Sequence, residues 1–216
     1  MFVSLRLITL PPQREAESAP LASRLREAAA ELAGLRSCWI APVSPVAAIN
    51  AGHVVWRMNF ATEREALAVT LDPAWQGTVR GLLDGANVSH VGYRVTRSAV
   101  RPAAGGIWRA LVFRVMPHGF PDGARALDDA LLLMPAHVST IRSWALSRVS
   151  VCEGPKAYTH VWEQEFDSLD GLTGEYMAHP VHWGVADAFF DAEFPEYIVD
   201  PQLVQVIGAI DRTIME

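Results

Sequence analysis

Cysteine is nearly missing from this sequence of 216 residues. Cys38 and Cys152 are too few for a disulfide framework and lack the spacing of a zinc site, so both read as buried thiols. No run of about 18 uninterrupted apolar residues occurs, so there is no candidate membrane-spanning helix. The opening stretch "MFVSLRLITLPPQREAE" has neither the basic start nor the long apolar stretch of a signal peptide. The cytoplasm is therefore the expected location. Positive charge is not clustered either: 18 Lys plus Arg stand against 24 Asp plus Glu, for a net charge of -6. Without concentrated cations, neither a nucleic-acid backbone nor an anionic membrane surface is an expected partner. Nucleophile elbow, phosphate loop and dinucleotide fingerprint are all missing, so nucleotide chemistry has no support. What is abundant is apolar surface. Half the residues are hydrophobic, enough to build one large or two small globular domains.

The chain repeats itself. "LRLITLP" (Leu5–Pro11) aligns with "LVFRVMP" (Leu111–Pro117), a displacement of 106 positions from Pro11 to Pro117. At the same displacement "LRSCWIAPVS" meets "IRSWALSRVS", and "HVVWRMNF" meets "THVWEQEF". Two proline passages follow at 107, Pro73 against Pro180. Four blocks in one order indicate a tandem duplication. The halves are residues 1–100 and 107–216, joined through "RPAAGG" (Arg101–Gly106).

Each half reads as the same succession of elements. In the second, "IWRALVFRVM" is a strand and "GARALDDALLLM" has apolar residues at helical spacing. "IRSWALSRVSV" and "YTHVWEQEF" read as extended, and Asp167 or Ser168 suits the cap of a short helix. Pro180 suits the first turn of another, and "EYIVDPQLVQVIG" reads as a closing strand. The order β-α-β-β-α-β is the ferredoxin-like split unit. One face of such a sheet has no helices, and a second copy in the same chain supplies a cover. The expected fold is α+β, two ferredoxin-like repeats with their sheets face to face as a fused α+β barrel. One chain then suffices as an internal pseudo-dimer, as monomer or homodimer.

"YTHVWEQEFDSLDGLTGEYMAHPVHWGVADAFFDAEFPEYIVD" (Tyr158–Asp200) resembles the stress-responsive dimeric α+β barrel family, known as Dabb. Its Tyr-Thr-His strand and Tyr-x-x-His-Pro-x-His passage are similar to those of the family's plant polyketide cyclases. That resemblance implies Tyr176 and His182 as the catalytic pair and His160 as a pocket residue. The histidine that commonly opens the first strand falls on Arg109, a departure that bears on the substrate.

The residues themselves support a site there. Pro180 bends the chain, so Tyr176 and His182 on either side can point into one space. His182, Val185 and Phe189 fall at helical spacing on an inward stripe. Tyr158, His160, Trp162 and Phe166 share one face of a strand. Together these wall an aromatic pocket, with Arg109 and His179 adding polar groups to a substrate-binding set of His160, Trp162, Phe189, His179 and Arg109. On pattern alone His182 also fits a satisfied core histidine, and His179, just before Pro180, also fits a cap. An imidazole and a phenol suffice for proton transfer beside a carbonyl, so neither a metal nor an organic cofactor is expected. The implied partner is a small aromatic or polyketide-like molecule, and the implied reaction is ring closure or carbon–carbon cleavage. A cofactor-free monooxygenase and a non-catalytic binding protein are the alternatives. In the first half the corresponding positions are Val54, Val69, Asp72 and Trp75, so that copy reads as a structural partner without proton-moving groups.

Overall fold

Both halves fold as β-α-β-β-α-β units whose sheets run on into each other as one antiparallel sheet. The computed structural model describes residues 1–216. In the first half the elements are β1 (Phe2–Thr9), α1 (Ser18–Ala30), β2 (Ser37–Pro42), β3 (Val54–Phe60), α2 (Glu63–Leu71), α3 (Pro73–Leu82) and β4 (Asn87–Arg94). A short β5 (Arg97–Ala99) leads into the linker. The second half contributes β6 (Ile107–Phe113), α4 (Asp122–His137), β7 (Ile141–Glu153), β8 (His160–Phe166) and β9 (Val204–Ala209). Between β8 and β9 lie two π-helical segments, Gly171–Tyr176 and His182–Ala186, and a 3-10 turn, Asp187–Phe189.

Strand order is β2-β3-β1-β4-β7-β8-β6-β9, with β5 pairing to β7. Each half therefore has the same internal order, and the halves meet through β4 and β7 instead of as separate stacked sheets. On the far side Ser44 N–H donates to the Ile207 carbonyl and Ile49 pairs with Gln205, which nearly closes the barrel. The expectation of two distinct sheets is corrected accordingly: edge pairing satisfies backbone groups that a stacked arrangement would leave open.

Three apolar clusters result. Leu21, Leu25, Trp56 and Trp75 pack between helices and sheet in the first half. Phe113, Leu127, Trp162, Tyr176 and Phe189 do so in the second. Val3, Leu5, Trp108 and Val161 fill the barrel interior between the halves.

Three further readings are corrected. The closing strand is Val204–Ala209 alone, because Glu196–Asp200 contributes only an isolated bridge from Val199 to Val115. Cys152 is exposed. The first block of the repeat is displaced by 105, since Phe2 pairs with Phe60 and Ile107 with Phe166. Strand β1 is buried on both faces, so its sequence has little alternation from which to read the register.

Candidate functional site

The site is built on the helix-facing side of the second half's sheet. In β6, Arg109 lies across from Gln164 of β8, and both side chains point toward the helical layer. Arg109 is 4% exposed and its hydrogen-bond partners are neutral. Its Nη1 donates to Gln164 Oε1 at 2.6 Å and to the Tyr176 hydroxyl oxygen at 3.2 Å, and its Nε to Gln205 Oε1 at 2.7 Å. The guanidinium carbon also lies 5.2 Å from the Tyr176 ring centroid. Held this way, the phenol oxygen accepts from a cation and keeps its own proton free to donate.

Tyr176 closes the first π-helical segment and His182 opens the second. Their rings meet edge to face with centroids 4.7 Å apart, and both side chains are buried. His182 Nδ1 lies 3.4 Å from Asp187 Oδ2 and has no hydrogen-bond partner, as is also true of Gln164 Nε2. Burial lowers the His182 pKa, with Asp187 opposing the shift and Arg109 reinforcing it. Burial likewise raises the Asp187 carboxyl. The imidazole is thus a neutral acceptor near pH 7, beside a phenol donor anchored by a guanidinium.

The inward stripe differs from the one read from helical spacing. Val185 is 37% exposed, whereas Ala186 is buried along with His182 and Phe189. The buried set is thus i, i+4 and i+7, which lies on one helical face as well as i, i+3 and i+7 does.

Residues 107–199 match the family model for the stress responsive A/B barrel domain. That stretch is similar to the family, and it makes up less than half of the chain. Among solved structures, the barrel resembles an anthrone oxidase-like protein over 97% of this chain and 92% of that one, at 12% identity and a TM-score of 0.63. A candidate monooxygenase from Fusobacterium nucleatum is similar over 95% and 90%, at 7% identity and a TM-score of 0.62. A mutant chlorite dismutase from Candidatus Nitrospira defluvii follows, over 95% and 90%, at 6% identity and a TM-score of 0.57. At these identities the likeness is one of fold. No curated protein matches the chain.

Within residues 107–199, Arg109, Tyr176 and His182 converge, whereas His160 and His179 make their contacts elsewhere. Phe189 packs in the same core cluster, and Trp162 is buried against Trp144. His160 is four residues from Gln164, about 13 Å along β8. There it stacks on Phe113 with centroids 5.1 Å apart and faces Asp128 at 3.7 Å. His179 Nδ1 accepts from Val181 N–H at 3.2 Å, the place where Asp72 caps α3 in the first half, and its ring faces His137. Three contributors escaped the sequence reading. Gln164 lies on the strand face that also bears His160 and Trp162, so alternation alone points to it. Gln205 and Asp187 carry no local signal and arrive through the fold. The five main concavities lie elsewhere, none of them lined by Tyr176 or His182.

Proposed function

We propose that the second half is a cofactor-independent acid–base site for a small aromatic or polyketide-like carbonyl compound. What carries the reading is the junction of Arg109, Tyr176 and His182: a neutral imidazole edge-on to a phenol whose oxygen is held by a buried guanidinium. His182 takes a proton from the carbon beside the carbonyl. The electron pair left behind moves into an enolate, and Tyr176 donates a hydrogen bond to its oxygen. The enolate carbon attacks a second carbonyl of the same molecule, forming a carbon–carbon bond, and the proton on His182 passes to the new alkoxide. In the opposite direction the same groups break that bond, with the proton leaving the alkoxide for His182 and returning to carbon.

Mass spectrometry of protein denatured straight after purification identifies a carried-over molecule, and turnover is then followed with it. Tyr176→Phe and His182→Ala are each expected to lower kcat by about 10² to 10⁴-fold with the fold intact. Undiminished turnover in both variants removes the site from the reaction. Oxygen consumed in step with product replaces the acid–base reading with an oxygenase one.

A further inference from the structure

A concavity between α3 and the β1–β4 surface of the first half is lined by Trp75, the residue that corresponds to His182. In the pairing of β1 with β3, Ser4 stands where Arg109 stands in β6, and Trp75 of α3 is the counterpart of His182. Two strand residues outside the four corresponding positions bring polar groups to this half. Arg6 and His90 lie opposite each other on β1 and β4, and both line a concavity of about 540 Å³. That volume is within the range for small-molecule sites.

Arg6 is a lone cation on a strand face otherwise given to Phe2, Ser4 and Ile8. Its guanidinium carbon lies 5.2 Å from the Trp56 ring centroid, and its buried Nε has no hydrogen-bond partner. Burial lowers its pKa, with Glu153 opposing the shift, so the charge stands at an energetic cost that an anion would relieve. Glu153 is already engaged: it accepts from His90 Nδ1 at 3.1 Å, while His90 Nε2 meets Ser4 Oγ at 2.9 Å. A second guanidinium, Arg80 of α3, lines the same space. The apolar part of the lining is made by Trp75, Val79, Leu83 and Val88. Trp75 is fixed edge-on to Trp56 with centroids 5.5 Å apart.

We infer that this concavity is a second binding site, for a monocarboxylate with a flat apolar body. Arg6 and Arg80 hold the carboxylate, with the paired donors that suit a guanidinium to this group, and the tryptophan wall packs the body. A single negative charge is specified because Asp84 and Glu153 also line the space and repel a second one. The inference does not depend on the acid–base site.

Titration calorimetry of the full chain tests it with phenylacetate, the neutral phenylacetamide, acetate and phenylphosphonate as probes. Phenylacetate is expected to saturate one site, with phenylacetamide and acetate each weaker on the order of tenfold or more. Arg6→Met and Arg80→Gln should each weaken phenylacetate on the order of tenfold to a hundredfold, while His182→Ala leaves it unchanged. Four results overturn the inference: no saturation by about 10 mM phenylacetate, equal binding of the amide, tighter binding of phenylphosphonate, or loss of binding in His182→Ala with retention in both arginine variants. Arg80 is exposed, so its variant decides between these outcomes if Arg6→Met does not fold.

Discussion

Two buried histidines titrate with consequences of opposite kinds. As the proposed base His182 must be neutral, and its folded pKa lies below the ordinary value of about 6.5. Activity should therefore hold through neutrality and fall as pH drops through that lowered pKa. A rate profile whose acid limb sits above about 6.5 would count against His182 as the base. His160 affects stability instead. Burial, helped by Arg148 and Arg97 and opposed by Asp128, lowers its pKa to about 4. Between about 6.5 and about 4 the unfolded chain binds the proton and the folded chain does not. The stabilising contribution is complete above the unfolded pKa and is lost as pH falls through this window. Urea midpoints should drop more steeply from pH about 6.5 to 5 in the parent than in His160→Gln.

At the scale of elements, one of the places where the second half is longer lies beside the candidate site. Phe60 matches Phe166 at a displacement of 106, and Pro73 matches Pro180 at 107, so the added residue falls between β8 and Pro180. In the first half that stretch contains the regular helix α2, capped by Thr62 accepting from Glu65 N–H. In the second it contains the π-helical segment Gly171–Tyr176, a helix form that absorbs one extra residue in a turn. The insertion and the candidate site coincide. Which side chains of this stretch are buried gives a test of register. Val185→Ala should change stability by no more than about 0.5 kcal/mol. Ala186→Leu should overpack the core by about 1–3 kcal/mol. Thermal unfolding of the two variants checks this, and the reverse ranking would put Val185 on the inward stripe in place of Ala186.

For the whole molecule, the barrel interior joins the halves through charge as well as apolar contact. Arg57 of β3 and Glu163 of β8 pair at 2.6 Å in full burial, with Trp108 Nε1 donating to the same carboxylate at 3.1 Å. Arg57 also donates to the Ile214 carbonyl, which ties the chain's last residues to the first half. Removing one partner strands the other charge, so Glu163→Ala should cost about 3–5 kcal/mol in chemical denaturation. Glu163→Leu combined with Arg57→Met should recover most of that loss, since an apolar pair needs no solvation. No helix is long and apolar enough to cross a membrane.

By itself the sequence determined that the chain is duplicated, that each copy alternates strands and helices in ferredoxin-like order, and that Tyr176 and His182 flank a proline bend. These are local matters of periodicity, capping and covalent geometry, written in consecutive residues. The tertiary structure decided which groups meet. Arg109, Gln164, Gln205 and Asp187 come from separate elements, and only strand pairing and helix docking bring them to one phenol and one imidazole. It decided the register of β1 as well, because a strand buried on both faces has little alternation to mark its sides.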